Sequence, residues 1–475
     1  MAANPETGQV ACDLLVVNAT VLTMDEHRTV YPQGAVAATG RDIVAVGPER
    51  ELRGSHRPRR VIDAHGAIVH PGLVEAHYHA SLHLTRGTMS DVPGAISPSG
   101  GDGSNIGAYS AWFNRLDDED EHANALLACT EMVRNGVTCF LDPGTVFATD
   151  AVAAAAEAVG IRASLTDPFL WDHTGGVAMT KEIERAPAVT ARALGLLGGE
   201  LRRNSDPDAL VRGHVGLYGM GTCTDELTLA AKECADANGV ILTFHQNFDT
   251  ADVDYDDMRF GANAVTHLAD LGVLGDSVFL AHMNVLRDDE VAALADSGTG
   301  VVWHPGNYLF YGIASRTPCR VPELLERGVP VAFMTDAAKV WSFGEMAWVG
   351  YLVARMGGGF IPADSIFEIQ TLGGARAVGL SDRIGSLEPG KRADLVIRTD
   401  ELPEANPGME PLRELVLVSR SKSVDTVIVD GEIVVKNGRL VRLDEGVVYD
   451  LARASARRLS DRLGLERDAR WPEAR

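Results

Sequence analysis

The chain is poor in cysteine, with six in 475 residues and no C-x-x-C pair among them. This scarcity excludes a disulfide framework and a zinc site built from thiolates, because both need cysteines at close, regular spacing. The six are expected to be reduced thiols that pack as small apolar side chains. A cytoplasmic location is the corresponding expectation.

Positive charge and long apolar runs are scarce as well. Lys and Arg total 43 against 66 Asp and Glu, which gives a formal net charge of −23 at pH 7. That charge would repel phosphate backbones and anionic membrane surfaces, so no nucleic acid partner is expected. No stretch stays apolar long enough to cross a bilayer, and the first residues lack the basic and apolar regions of a signal peptide, so no membrane partner is expected either.

The composition and length suit one large folded domain with a smaller one. Hydrophobic residues make up 45% of the chain and charged residues 23%, as in ordinary globular enzymes. Short β-branched runs broken by Gly, Asn and Asp fill both ends of the chain. They predict a small β-sandwich domain built from residues 1–69 and 385–446 together. Residues 447–475 are expected to form a C-terminal helical tail.

The middle of the chain, residues 70–384, alternates short apolar runs with longer amphipathic segments. Eight such steps predict a (β/α)8 barrel of the TIM type, and hence an α/β fold with a parallel sheet. One amphipathic segment, 121–136, has apolar residues at helical spacing and ends at Asn135-Gly136, which is typical of a helix cap. The eight predicted strands are 73–77, 137–142, 161–167, 214–219, 240–245, 277–282, 300–304 and 329–336.

Several predicted strands end in a residue that can bind a metal. Because the carboxyl ends of barrel strands form one face, side chains from distant parts of the sequence converge there. His77 and His79 form an H-x-H pair on one side of the first strand, a pattern that alone is more typical of two half-exposed histidines. The other strand-end residues are His245, His282, His304 and Asp336. Three neutral nitrogens and one carboxylate from this set would suit one Zn²⁺ or Fe²⁺ and leave a position for water.

This set of residues predicts hydrolysis. A bound ion lowers the pKa of its water toward neutrality, and Asp336 could accept the released proton while it also contacts the metal. The resulting metal-bound hydroxide would attack an electrophilic carbon. His282 could polarise the substrate or shuttle a proton. Asp336 and His282 are therefore the predicted catalytic residues.

Five segments of the chain carry a family resemblance. They are HPGLVEAHYHASLHLTRG at 70–87, TEMVRNGVTCFLD at 130–142, MTDAAK at 334–339, TLGGARAVGL at 371–380 and RIGSLEPGKRADLVI at 383–397. Together they resemble the amidohydrolase superfamily, in its branch of triazine hydrolases, cytosine deaminases and adenosine-type deaminases. The resemblance runs from about residue 13 to residue 440.

The resemblance implies metal ligands at His77, His79, His245 and Asp336, with His282 close to the attacking water or the substrate. It also implies a single ion, zinc or alternatively iron. Binuclear relatives carry a carboxylated lysine on strand four, whereas the corresponding segment here, RGHVGLYGM, has no lysine. The implied activity is hydrolysis of carbon–nitrogen bonds other than peptide bonds.

One departure from the family pattern lies on strand five. Deaminases of this branch usually carry H-x-x-E there, the glutamate serving as proton shuttle, but here Phe248 stands three residues after His245. Asp249 or Asp252 could replace the missing acid if the loop folds back, or both could be solvated loop carboxylates. The departure speaks against ordinary deamination.

A second departure lies on strand seven, which reads W-H-P-G-N from residue 303 where relatives often have H-C-P-x-S-N. Either Trp303 or His304 would face the substrate, with Asn307 holding the loop; core packing of Trp303 is the alternative. Lys339 could bind a substrate carboxylate or protonate a leaving group, or could be solvated. Together with His282, these four are the predicted substrate contacts.

The sequence therefore predicts a mononuclear metal-dependent hydrolase that cleaves a carbon–nitrogen bond of a small heterocyclic or amide-like substrate. Two alternatives stay open: a deaminase of an aminated heterocycle with a non-standard proton shuttle, and a catalytically silent barrel used for binding. The apolar, Met-rich segment 341–360 suits a pocket wall or, more readily, a subunit contact, so a homo-oligomer is expected.

Overall fold

A computed structural model of the chain describes residues 9–86, 104–174, 183–337 and 340–464. Its strands come in two groups, one from both ends of the chain and one from the middle. In chain order they are β1 (Val10–Leu22), β2 (Val30–Thr39), β3 (Asp42–Pro48), β4 (His56–Asp63), β5 (Ile68–Pro71), β6 (Leu73–Glu75), β7 (Val137–Leu141), β8 (Arg162–Leu165), β9 (Val211–Gly213), β10 (Val215–Gly219), β11 (Leu242–Gln246), β12 (Val278–His282), β13 (Gly300–Trp303), β14 (Val331–Phe333), β15 (Leu395–Arg398), β16 (Val424–Val429), β17 (Glu432–Lys436) and β18 (Arg439–Leu440).

Helices follow most of the middle strands. They are α1 (Glu49–Ser55), α2 (Ser104–Arg115), α3 (Asp118–Arg134), α4 (Thr149–Val159), α5 (Thr190–Leu196), α6 (Asp225–Asn238), α7 (Thr250–Phe260), α8 (Ala264–Asp270), α9 (Asp288–Ser297), α10 (Pro305–Phe310), α11 (Val321–Glu326), α12 (Met346–Met356), α13 (Ala363–Glu368), α14 (Gly374–Ala377), α15 (Pro411–Glu414) and α16 (Glu445–Leu463). The cap predicted after α3 is confirmed, because Asn135 ends the helix and Gly136 follows with φ +83°. Among the described helices, none is long and apolar enough to cross a membrane.

The middle strands close into a ring. Two parallel sheets, β6 to β9 and β10 to β14, are joined where the fourth strand is interrupted at His214. At the other junction, the Ala76 N–H donates to the Phe333 carbonyl at 3.1 Å. Further along the same strand end, the His79 N–H donates to the Asp336 carbonyl at 2.8 Å. The chain therefore forms the α/β barrel that the sequence predicts, with the fourth step split in two.

Apolar side chains fill the inside of the ring. Ala281, Val302 and Ala332 are paired in register on neighbouring strands and belong to one buried cluster. Their chain neighbours Leu280 and Val301 belong to the larger cluster that includes the helices. Both faces of these strands are thus buried, which is why they are continuous apolar runs in the sequence. Polar residues are concentrated at the strand ends.

Strands from both ends of the chain join in one sheet of nine described strands. Its order is β18-β17-β16-β15-β5-β1-β2-β3, with β4 paired to β1. The two chain ends meet where β5 pairs antiparallel with β15. The sheet extends past the predicted domain boundary at residue 69, since β5 ends at Pro71, and α16 begins at Glu445, before the predicted start of the tail. The two-layered sandwich and the division into domains stay predictions.

A buried ion-pair group joins this sheet to the barrel. Arg162 in β8 donates to both carboxylate oxygens of Asp394, at 2.7 and 3.0 Å, and to Asp430 at 2.5 Å. Its side chain is only 6% exposed. Although burial lowers the pKa of the guanidinium, the two carboxylates outweigh it and raise that pKa overall. The three charges are therefore removed from water together, and each one is stabilised there by its opposite-charge partners.

Arg162→Met is expected to lower the free energy of unfolding by about 3–5 kcal/mol, because two buried carboxylates would lose their cation. Urea unfolding followed by fluorescence measures the change. The matched control is Arg53→Met, which removes an exposed pair with Glu49 one helical turn away and should cost only about 0.3–0.5 kcal/mol. Equal costs for the two variants would contradict the role assigned to Arg162.

Candidate metal centre and active site

Three histidine rings converge at the carboxyl ends of β6 and β11. Nε2 of His79 lies 3.3 Å from Nε2 of His77 and 3.3 Å from Nε2 of His245. Ligand nitrogens of the three rings all lie within 4.8 Å of one another, and all three residues are buried. Tyr78, between the first two, instead bonds to His83 at 2.5 Å. The structure thus brings the predicted H-x-H pair and the strand-five histidine to one point.

The outer nitrogens of two rings are held by the protein. Nδ1 of His245 donates to the Tyr218 carbonyl at 2.6 Å, and Nδ1 of His79 bonds to Oγ1 of Thr145 at 2.9 Å. Burial, reinforced by the neighbouring histidines, lowers the pKa of His77 well below its usual range and that of His245 to about 4. A neutral ring that donates through Nδ1 has a lone pair on Nε2. The converging nitrogens therefore fit a divalent transition metal.

A carboxylate lies at the edge of the histidine group. Oδ1 of Asp336 is 3.1 Å from Nε2 of His79, and the residue is 7% exposed. Its backbone is bonded to the same strand end as the histidines, since the Asp336 N–H donates to the His77 carbonyl at 3.2 Å. The structure thus places the fourth predicted ligand beside the other three.

Unusual backbone conformations turn the strand ends toward this centre. His282 has φ +78°, Asp336 has φ +63° and Asn247 has φ +50°. Side-chain-bearing residues rarely adopt this left-handed region, and they persist in it only where surrounding contacts fix them. Asn247 shows such fixation, because its Nδ2 donates to Glu290 at 2.8 Å and to the Val285 carbonyl at 2.9 Å.

A fourth histidine stands beside the group. The ring of His282 lies 5.4 Å from that of His245 and 6.1 Å from that of His77, between centroids. Its Nδ1 accepts a hydrogen bond from Nδ2 of Asn307 at 3.2 Å, which leaves the ring proton on Nε2. The prediction that Asn307 holds a loop thus becomes more specific, since Asn307 sets the tautomer of His282.

An aromatic wall lies next to His282. The Phe248 ring packs edge-on against the His282 ring at 4.7 Å, and the Tyr311 ring packs edge-on against Phe248 at 5.3 Å. On the other side, the Tyr218 ring lies 5.0 Å from the ring of His245. Burial, followed by the charge of the nearby carboxylate, raises the pKa of both tyrosines. The wall is thus apolar, with two neutral hydroxyl groups.

The two loop carboxylates that might have replaced the missing acid are already bound. Asp249 accepts from the Thr250 N–H at 2.7 Å at the start of α7 and pairs with Arg316 at 3.2 Å. Asp252 is fully buried and accepts from the Phe248 N–H at 3.0 Å. Burial and neighbouring carboxylates raise the pKa of Asp252 to about 8. Neither residue is a solvated loop carboxylate.

The remaining predicted substrate contacts lie in different places. Trp303 is fully buried and stacks on Phe333 at 5.4 Å in the core cluster, so its packing supports the core alternative. The reason is strand alternation, which directs this side chain toward the helices. His304 is also fully buried, with its ring edge-on to Trp341 at 4.6 Å. Lys339 lies outside the described residues.

Sequence reasoning missed several residues that support the centre. Asp142 accepts from the N–H groups of Ala80 and Gly144, each at 2.9 Å, and so ties the H-x-H segment to the loop after β7. Glu75 accepts from the backbone just before Asp336, at 2.6 Å. Asp142 ends a predicted strand, so the rule used for the histidines would have found it. Thr145 carries no such signal, because it lies within a loop.

Comparison with known proteins agrees with this geometry. Residues 68–434 match the amidohydrolase family. The chain is 32% identical over 470 residues to the 5-methylthioadenosine/S-adenosylhomocysteine deaminase of Syntrophobacter fumaroxidans, covering 95% of this chain and 99% of the relative. It is 30% identical over 467 residues to the 5'-deoxyadenosine deaminase of Methanosarcina mazei, with coverage of 95% and 99%.

Solved structures share the same fold. An adenosine deaminase from Xanthomonas campestris with bound zinc superposes with a TM-score of 0.84 at 25% identity, covering 95% of this chain and all of the other. The atrazine chlorohydrolase of Arthrobacter aurescens superposes with a TM-score of 0.80 at 22% identity, over 93% of this chain and 100% of the other. The second likeness supports the fold alone.

The buried carboxyl of Asp252 generates a prediction about pH. Its pKa is about 8 in the folded protein, against 3.8 for an aspartate in the unfolded chain, so the folded state holds a proton that the unfolded chain releases between these pH values. Stability from this group is therefore greatest below about pH 4 and falls as pH rises toward 8. Between pH 5.5 and 7.5, the free energy of unfolding of wild type should fall, relative to that of Asp252→Asn, by up to about 1.4 kcal/mol per pH unit.

Urea unfolding of both proteins across this pH interval measures the difference. The control is Asp254→Asn, which changes an exposed carboxylate of the same helix and should show no such trend relative to wild type. If the difference in the free energy of unfolding between wild type and Asp252→Asn did not change with pH, the result would contradict the raised pKa of Asp252.

Proposed function

The chain belongs to the amidohydrolase family, metal-dependent hydrolases of carbon–nitrogen bonds other than peptide bonds, and we propose that it hydrolyses such a bond at a ring carbon of a small, uncharged heterocycle of the adenosine type. The observation that carries this proposal is the group of three converging, buried imidazoles beside Asp336, bordered by an aromatic wall. The relatives named as deaminases of adenosine derivatives support the substrate class.

We assign the metal ligands to His77, His79, His245 and Asp336. One zinc ion suits this set of three nitrogens and one carboxylate, with iron as the alternative. Two observations support the assignment: ligand nitrogens of the three buried histidines lie within 4.8 Å of one another, and a structural relative contains zinc. When bound, the ion would supply Lewis-acid activation of water and of the reacting carbon.

The protein's own groups would handle the protons and hold the substrate. Asp336 is positioned to accept a proton from the attacking water, because Oδ1 lies at the edge of the ligand group. His282 would donate from Nε2 to a substrate atom that gains negative charge, since Asn307 already occupies Nδ1. Thr145 and the Tyr218 carbonyl would keep two ligand rings in orientation.

The aromatic wall supports a planar substrate. Tyr218 lies 5.0 Å from His245 and 5.0 Å from Trp171, and Phe248 borders His282. Rings such as these bind flat heterocycles through stacked or edge-on contacts. Phe248 also favours a second candidate reaction, the displacement of a leaving group other than ammonia, because a phenyl ring cannot donate a proton to a departing amine.

We also propose that the protein forms a homo-oligomer and is located in the cytoplasm. Trp348, Leu352 and Met356 are 36%, 42% and 54% exposed on α12, and their four-residue spacing forms one apolar stripe. The mass in solution tests the oligomer. All six cysteines are free, which supports a reducing compartment.

Replacing a ligand should remove the metal and the activity together. Purified wild type loaded with zinc is expected to hold about one equivalent, whereas His77→Ala and Asp336→Asn should retain little and lose at least about 10³-fold in kcat/KM. Metal analysis and turnover measure both effects. The control is His65→Ala, which removes an exposed histidine in the turn between β4 and β5. A His77→Ala protein that retains full zinc content and full turnover would contradict the assignment of His77 as a metal ligand.

The substrate class can be tested with paired probes. Wild type is expected to convert 5'-deoxyadenosine, with release of ammonia, or its 6-chloropurine analogue, with release of chloride, at a kcat/KM of at least about 10⁴ M⁻¹s⁻¹. Ammonia and chloride assays distinguish the two reactions. Turnover of neither purine, with hydrolysis of simple N-acyl amides instead, would contradict the proposed substrate class.

A further inference from the structure

Cleavage of a carbon–nitrogen bond needs a proton at the leaving nitrogen, and the loop after β11 supplies no acid for it. Phe248 occupies the position beside His282. Asp249 is bound to Arg316 and to the start of α7, and Asp252 is fully buried behind the Phe248 backbone. A donor from another element is therefore needed.

The end of helix α10 brings a tyrosine, Tyr311, beside Phe248. Tyr311 directly follows the helix, and its N–H donates to the Asn307 carbonyl at 3.1 Å. Residues four apart lie on the same face of a helix. Asn307 uses that face to hold His282 at 3.2 Å. Tyr311 therefore extends the same face by one turn.

Packing fixes the Tyr311 ring against the wall. The ring lies edge-on to Phe248 at 5.3 Å, and Phe248 in turn lies edge-on to His282 at 4.7 Å. The Tyr311 carbonyl accepts from Arg316 at 3.1 Å, and the same guanidinium pairs with Asp249. The residue is 5% exposed. Ring and backbone are thus both held beside the predicted reaction centre.

The electrostatic surroundings keep the hydroxyl protonated. Burial raises the pKa of Tyr311, and the charge of Asp336 raises it further. Burial, followed by the charge of the same carboxylate, also raises the pKa of Tyr218. A neutral phenol of this kind is a hydrogen-bond donor throughout the neutral pH range.

We propose that Tyr311 is a catalytic residue whose hydroxyl group donates a hydrogen bond, and then a proton, to the leaving nitrogen. The inference rests on the proposed function. Water oxygen forms the new bond to the ring carbon while the bond from carbon to nitrogen breaks. The nitrogen gains one proton from Tyr311 and leaves as ammonia, and the phenolate regains a proton originating from the attacking water. No oxidant or further reactant is needed.

The contribution of the Tyr311 hydroxyl to the rate depends on the leaving group. An amide anion is too basic to leave without a proton, whereas chloride leaves unprotonated. General-acid catalysis is typically worth about 10²–10⁴-fold, so that factor should appear with the amine alone. A residue with a merely structural role would affect both leaving groups equally.

The experiment compares wild type and Tyr311→Phe, both loaded with zinc, on 5'-deoxyadenosine and its 6-chloropurine analogue. We expect kcat for the amine to fall at least about 10²-fold and kcat for the chloride to change less than about threefold. The control is Tyr255→Phe, because that hydroxyl bonds to His173 away from the histidine group, and it should leave both rates unchanged. Equal losses on both probes, or no loss on either, would overturn the proposal.

A rescue variant makes the test independent of folding. Phe248→Glu places a carboxylic acid beside His282, so the double variant Phe248→Glu/Tyr311→Phe should recover at least about tenfold in kcat on the amine over Tyr311→Phe, as a second general acid would. Failure of rescue in a double variant that retains zinc would count against proton donation by Tyr311. If wild type converts neither purine, the proposed function fails, and the assignment of Tyr311 fails with it.

Discussion

The structure depends on the close convergence of three buried imidazole rings, in which Nε2 of His79 lies 3.3 Å from Nε2 of both His77 and His245. Burial lowers the pKa of His77 and of His245 and so disfavours the charged form of these two rings. The Tyr218 carbonyl accepts a hydrogen bond from the outer nitrogen, Nδ1, of His245. In this arrangement the lone pairs face a common point, and a cation there would relieve the repulsion among them.

The barrel is the structure that makes such burial compatible with convergence. His77, His245 and Asp336 are separated by long stretches of chain, and only a closed parallel ring brings their strand ends to one face. Hydrogen bonds between the first and last strands close the ring at the histidine pair itself, since the Asp336 carbonyl accepts from the His79 N–H. The contact that completes the fold is thus also the one that places the carboxylate.

The extent to which the sequence predicted this structure differed from element to element. Apolar runs that end in histidine or aspartate predict strands and their functional ends well, because burial and polarity change abruptly there. The short strand β9 was not predicted, since the predicted fourth strand begins only at His214. Trp303 could not be assigned to the substrate side or the core, because the side that a strand residue faces depends on register with its neighbours. Tyr311 carried no sequence signal at all.

Two departures from the family pattern that are separate in the sequence are adjacent in the structure. The loss of an acid at residue 248 and the altered segment after strand seven meet where the ring of Phe248 lies against Tyr311. The helix α10 carries Asn307, which contacts His282, and ends at Tyr311, which contacts Phe248, so this helix both orients that histidine and covers its apolar neighbour. A carboxylate at 248 would have its charge buried against Tyr311 and His282, at a cost in desolvation. The phenyl ring avoids that cost, and the task of donating a proton passes to an uncharged group that tolerates the same dry surroundings.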